Sequence, residues 1–144
     1  MNPFSDRDKE IMLVALSKAR KAFEADDYPV GAVIVIDDKI VGKLSNSNRT
    51  GNSWMNHAEF QLLLSKADLI KKKKSEGSKI ELFSTLEPCI MCLGTSVMNR
   101  VDRIVFACSD KHGGATNIDP KLIKEYYSNR WPIIESGLLE KESR

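Results

Sequence analysis

The sequence predicts an α/β fold with helices layered on a sheet, and three observations lead to it. Asp6 to Ala25 carries apolar residues at Ile11, Met12, Ala15, Leu16, Ala19, Ala22 and Phe23, the spacing of a helix with one buried face. Val30 to Ile36 is a near-continuous apolar, β-branched run, which suits a strand covered on both faces. Helical and short apolar stretches then alternate along the rest of the chain, the pattern of a layered domain.

Each element follows from its local residues. Asp26-Asp27-Tyr28-Pro29 ends the first helix, because Pro29 disfavours helical backbone at Tyr28 and its ring breaks the ladder. Asp37-Asp38 turns the first strand into Lys39 to Leu44, a hairpin. Ser45 to Asn56, rich in Asn, Ser and Gly, reads as loop, and His57 to Ile70 returns to helical spacing through Ala58, Phe60, Leu62, Leu63 and Ala67. Lys71 to Lys74, extended by Lys66 and Lys79, reads as a solvated loop before the next strand; a phosphate-contacting edge is the functional alternative. Ile80 to Thr85 is a short strand, and Pro88 opens a helix through Asn99, since proline is preorganised for a first turn. Val101 to Ala107 is a strand, Lys111 to Asn117 a Gly-rich loop, Asp119-Pro120 the start of a helix through Tyr127, and Ile133-Ile134 a last short strand.

At 144 residues with 42% hydrophobic and 29% charged side chains, the chain reads as one globular domain, 1–144. No apolar run approaches the ~20 residues of a membrane span, and the N-terminal stretch has no signal-peptide core, so a cytoplasmic protein is expected. A net charge of +2 does not by itself argue for nucleic-acid binding. Of three cysteines, Cys89, Cys92 and Cys108, the first pair lies three apart, favouring metal or redox chemistry over a disulfide framework.

The chemistry concentrates on His57, Glu59, Cys89 and Cys92. Zinc takes nitrogen and thiolate ligands in a tetrahedron, and three protein ligands leave a fourth position for water, as in catalytic sites. Cys89 and Cys92, at i and i+3 near a helix start, share one face, and the amides and dipole there favour ionised thiols. Glu59, two residues from His57, can move protons between an attacking water, a ring nitrogen and a leaving amine.

His57-Ala58-Glu59 and Pro88-Cys89-Ile90-Met91-Cys92 resemble the H-x-E and P-C-x-x-C signature of the cytidine deaminase-like superfamily. Pro29 to Val35, Thr85 to Cys92 and Arg100 to Asp110 are most similar to the branch of bacterial tRNA adenosine deaminase, guanine deaminase and fungal cytosine deaminase, over roughly residues 8 to 119. The resemblance implies a three-layer α/β/α domain on a five-stranded mixed sheet, with the two zinc-bearing helices side by side. It also implies one zinc ion per chain on His57, Cys89 and Cys92, Glu59 as the proton shuttle, and Asn46 holding the substrate, with Asn48 as competitor.

His112 and Asp110 fall where this branch lines its pocket mouth, His112 as contact or plain surface residue, Asp110 as contact or loop brace. Trp54 is a base-stacking candidate or a packing residue. Cys108 reads as a small buried side chain, with a fourth zinc ligand as the alternative. A homodimer is implied, with Tyr126, Tyr127 and Trp131 as contact candidates. The expected reaction is hydrolytic exchange of an exocyclic nucleobase amine for oxygen, releasing ammonia. The chain shows no extended basic C-terminal helix, and Ser109 stands where tRNA-acting members often carry arginine. That tips the expected substrate to a free base or nucleoside, with the wobble adenosine of a tRNA anticodon loop as runner-up. A silent zinc scaffold and a CxxC redox protein are the remaining alternatives.

Overall fold

The computed structural model describes residues 3–143; Met1, Asn2 and Arg144, the ends of the expected 1–144 domain, lie outside the described residues. Its elements are α1 (Asp6–Glu24), β1 (Gly31–Ile36), β2 (Lys39–Ser45), α2 (Ala58–Ser65), α3 (Ala67–Ser75), β3 (Ile80–Leu86), α4 (Ile90–Met98), β4 (Arg103–Cys108), α5 (Glu125–Ser128), β5 (Ile133–Ser136) and α6 (Glu140–Ser143). They build a five-stranded mixed sheet in the order β2-β1-β3-β4-β5. β1 runs antiparallel to β2 and β3, while β3, β4 and β5 are parallel.

Strand alternation separates two cores. Ala32, Ile34, Ile36, Ile80, Leu82 and Ile104 pack with Leu62, Leu63, Ile70 and Leu93 from the α2, α3 and α4 layer. Val33, Val35, Phe83 and Val105 pack with Ile11, Met12 and Ala15 of α1 and with Leu138. Gly31 permits the closest approach of α1: a Cβ there would lie 2.0 Å from the Ala15 carbonyl oxygen. The three-layer expectation therefore holds, with helices on both faces of the sheet.

Four local expectations are corrected. Phe23 lies exposed rather than in the buried stripe of α1. The helix expected over 57–70 breaks at Lys66 and resumes, so Lys71 to Lys74 sit on α3 rather than in a loop. Lysine is a good helix former, and cations are favoured at a helix C-terminus. Pro88 lies just outside α4, whose N-cap is Cys89. The helix expected from Asp119 to Tyr127 is a 3-10 turn, Pro120–Leu122, and the short α5, separated by extended backbone at Ile123.

At the edge where β3 and β4 begin, Arg103 gathers three carboxylates. Its guanidinium donates to Asp8 at 2.9 and 3.0 Å, to Glu81 at 2.8 Å and to Glu135, tying α1, β3 and β5 to β4. Burial alone would raise the Asp8 pKa, but its bonds from Arg103 and from Ser5 outweigh this and hold it below the ordinary carboxylate value. A depressed folded-state pKa contributes stability above the unfolded value of ~3.9 and loses it as pH falls through the folded value. Arg103→Met should therefore lower unfolding free energy by about 3–5 kcal/mol at pH 7, the scale for leaving buried charges uncompensated. In urea titrations the gap to wild type should narrow below about pH 4 as Asp8 protonates.

Candidate active site

All candidate residues emerge at one edge of the sheet. In register, Ser45 opposes Gly31, Ala32 opposes Ser84, and Leu86 opposes Cys108. The segments that follow β2, β3 and β4 therefore carry Asn46 and Trp54, Cys89 and Cys92, and Asp110 and His112 to the same side. Lys74 instead pairs at 2.8 Å with Asp102, which also accepts from the Ile80 amide at 2.7 Å. The lysine run thus flanks the opposite edge, about 20 Å away across seven residues of β3.

His57 is the N-cap of α2 and Cys89 the N-cap of α4, both with extended backbone and neither with a side-chain cap hydrogen bond. Their side chains face each other instead. His57 Nδ1 lies 3.5 Å from Cys89 Sγ and 3.7 Å from Cys92 Sγ, and the two sulfurs are 3.6 Å apart. A tetrahedral zinc ion with ordinary bond lengths needs S–S edges of about 3.8 Å and N–S edges of about 3.6 Å. The triangle is therefore one face of such a tetrahedron, and these three side chains could hold the metal. Cys108 stands outside it, half-buried and free at the end of β4.

The two thiols differ from the expectation that both ionise readily. The hydrogen bond from the Cys92 thiol, the Cys92 and Met91 amides and His57 bring Cys89 down to about 5, against its burial. Cys92 is pushed up, because it holds the shared proton, is buried, and faces Glu59 and Cys89. Metal binding requires both thiols deprotonated and so releases the remaining proton.

Glu59 lies on the first turn of α2 and is only 4% exposed. Burial raises its pKa to about 7, with the Cys89 charge adding to the effect and its own amide, His57 and Ser84 opposing it. A carboxyl poised there both takes and gives a proton near neutrality.

Asn46, 6% exposed, donates through Nδ2 to Asn48 Oδ1 at 3.1 Å, and its own Oδ1 has no partner among the described residues. Asn48 also accepts from the Tyr28 amide at 3.1 Å, so it braces while Asn46 offers a free buried acceptor. The loop from Asn46 to His57 is closed by Ser47 donating to the Asn56 carbonyl at 3.1 Å and is anchored by Asp27, which accepts from the Arg49 and Thr50 amides at 2.9 Å. Trp54 on this braced loop is 94% exposed, which excludes a packing role for it within the described chain. Asp110 accepts from the His112 and Gly113 amides at 3.0 and 3.2 Å, bracing its loop, and His112 is exposed. Sequence reasoning missed Ser84 beneath Glu59 and Asp27 beneath the loop; the signal for Ser84 was a hydroxyl within an apolar strand.

Comparison with known proteins adds the family context. The family model for the cytidine and deoxycytidylate deaminase zinc-binding region matches residues 5–108. A tRNA-specific adenosine deaminase of Bacillus subtilis is 34% identical over 136 residues, covering 94% of this chain and 83% of that protein. One of Aquifex aeolicus is 36% identical over 141 residues, covering 93% and 92%. A solved structure from work on A-to-I editing by tRNA:A34 deaminases aligns with a TM-score of 0.74 at 28% identity, covering 89% of this chain and 97% of that one. A guanine deaminase from Nitrosomonas europaea shares the fold, with a TM-score of 0.71 at 19% identity, covering 94% and 79%.

Cys89→Ser and Cys92→Ser should each lose stoichiometric zinc by elemental analysis. Wild type should melt several degrees lower after chelation, because metal binding and folding share free energy. Both variants should lack that zinc-dependent increment.

Proposed function

We propose a function for this chain from the premise that it belongs to the cytidine and deoxycytidylate deaminase zinc-binding family: hydrolysis of adenosine to inosine, with release of ammonia, at the wobble position of tRNA. Family membership makes it a zinc-dependent hydrolase of C–N bonds in nucleobase-type substrates. The observation that carries the finer reading is the likeness to tRNA-specific adenosine deaminases, 34% and 36% identical over more than nine-tenths of the chain. It favours the tRNA alternative over a free base or nucleoside. The charge argument for a small substrate rests on net charge and a few cations in sequence, and these do not specify a pocket. The reading of 1–144 as one deaminase domain belongs to the same proposal.

His57, Cys89 and Cys92 are assigned as the zinc ligands, and their triangle fits the ion. Zinc bound there supplies Lewis-acid activation of water at neutral pH. Glu59 takes a proton from the attacking water and passes it to the ring nitrogen. It then carries the second proton to the exocyclic amine, which departs as ammonia. Asn46 orients the nucleoside through its free Oδ1. Trp54, exposed on a braced loop, offers its ring to a nucleotide flanking the reacting one. His112 is assigned to the pocket mouth, with Asp110 holding its loop.

Phosphate contact near the site falls to Lys111, exposed beside His112, rather than to Lys71 to Lys74 at the far edge; the Arg49 guanidinium is turned onto the Ala25 and Asp26 carbonyls at 3.0 Å. A homodimer belongs to this proposal as well. Tyr127 and Trp131 line an apolar groove of about 280 Å³ with Ile90, Leu93 and Val97 of α4, and Tyr126 is exposed beside it. The groove suits a second copy.

A screen for ammonia and inosine over cytosine, guanine, adenine, their nucleosides and an anticodon stem-loop tests the reading. Turnover of the stem-loop, falling with salt, is expected. Turnover of small substrates alone would overturn the tRNA assignment. Glu59→Gln should keep full zinc yet lose about 10²–10⁴-fold in kcat, the range for general acid–base catalysis. Trp54→Ala should raise KM for the stem-loop about 5- to 100-fold, the scale of one stacked base, with melting temperature and zinc unchanged.

A further inference from the structure

Glu87 has no part in the chemistry above, yet two amides and a hydroxyl of the segment after β4 converge on its carboxylate. Its amide donates to the Cys108 carbonyl at 2.8 Å. Its carboxylate accepts from the Asp110 amide at 3.0 Å through Oε1, and from the Thr116 amide at 3.1 Å and hydroxyl at 2.5 Å through Oε2. The segment from 110 to 116 is therefore closed at both ends on one side chain. Between those ends Gly114 lies directly over the carboxylate: a Cβ there would fall 2.3 Å from Cδ and 2.4 and 2.6 Å from the two oxygens. Ala115 donates to the Pro88 carbonyl at 3.0 Å, so the next residue of the β3–α4 connection holds the same segment.

These contacts link two parts of the site. The 110–116 segment presents Lys111 and His112 to solvent. Glu87 is joined through Pro88, whose ring fixes one backbone dihedral, to Cys89 at the start of α4. Hydrogen bonds to an ionised acceptor are stronger than neutral ones, and three of them on one half-buried carboxylate immobilise the segment before any ligand arrives. A preordered rim does not lose loop entropy on binding.

We infer that Glu87 is a positioning residue for substrate: it locks the 110–116 segment, as the rim of the pocket, in register with the metal-binding end of α4. This rests on the reading of Asp110 to His112 as the pocket mouth. The same geometry explains the Gly114 position, since any side chain there would displace the carboxylate.

The test uses the zinc-loaded full chain and the variants Glu87→Gln, Glu87→Ala, Gly114→Ala and the Glu87→Ala/Gly114→Ala pair. Zinc content, hydrogen-exchange protection of the Asp110 and Thr116 amides, and kcat and KM on the anticodon stem-loop are measured for each. Both Glu87 variants should keep one zinc per chain and lose protection at the two amides by about tenfold or more. KM should rise about tenfold while kcat stays within about threefold, a split that loss of general structural support would not produce. Gly114→Ala alone should reproduce this pattern, and in the Glu87→Ala background it should add nothing, because the clashing carboxylate is gone. Unchanged protection in Glu87→Ala would overturn the anchoring. Lost protection with unchanged KM, or zinc lost together with kcat, would overturn the positioning role. A wild-type chain inactive on the stem-loop counts against the tRNA assignment alone, and the KM comparison then uses the small substrate identified in the screen.

Discussion

Two helices begin at one edge of the sheet, and neither uses its N-cap side chain to cap. His57 and Cys89 turn away from the free amides of α2 and α4 and toward each other. Forgoing a side-chain cap costs a helix about 1 kcal/mol, so both helix starts are weaker than their backbone allows. The loss is offset when a cation joins His57, Cys89 and Cys92, because one bond set then fastens both ends. The strand arrangement serves that meeting: α2 follows the hairpin of β1 and β2, α4 joins the parallel strands β3 and β4, and both lie on the same face.

Placing a buried carboxyl beside two thiols is electrostatically unfavourable without the metal. The cost shows in the electrostatics: Cys92 is pushed up by its hydrogen bond to Cys89, by burial and by Glu59, and burial raises Glu59 to about 7. The other end of the sheet solves a related problem differently, with Arg103 set among Asp8, Glu81 and Glu135. One edge is held together by a fixed guanidinium bridging three carboxylates and is structural. The other brings three metal-binding side chains together beside a buried carboxyl.

The parts legible in sequence were those whose physical signal is local. His57, Glu59, Cys89 and Cys92 are rare residue types at spacings that imply shared faces, and the strands announce themselves as β-branched runs. Misread parts depend on tertiary context. Lys71 to Lys74 looked like solvent-facing loop because charge marks exposure but not backbone conformation; the Lys74–Asp102 pair is a contact across 28 residues. Phe23 falls at the rim of the stripe, one helical step off the buried Ala22, and is left exposed. The roles of Asn46 and Asn48 separated only when one was seen bracing and the other left with a free acceptor. Trp54 lost its packing alternative in the same way, by exposure. Net charge was a weak guide to substrate because it describes the whole surface, whereas a substrate is chosen by a few groups at one edge.

The central claim is that the fold presents one histidine nitrogen and two cysteine sulfurs to a single zinc ion, leaving a fourth position for chemistry. Zinc X-ray absorption on the purified, metal-replete protein measures that arrangement directly. The account predicts two sulfur scatterers at about 2.3 Å and two nitrogen or oxygen scatterers at about 2.0–2.1 Å. Three or four sulfurs around the ion, or a folded wild-type protein that takes up no zinc, would contradict it.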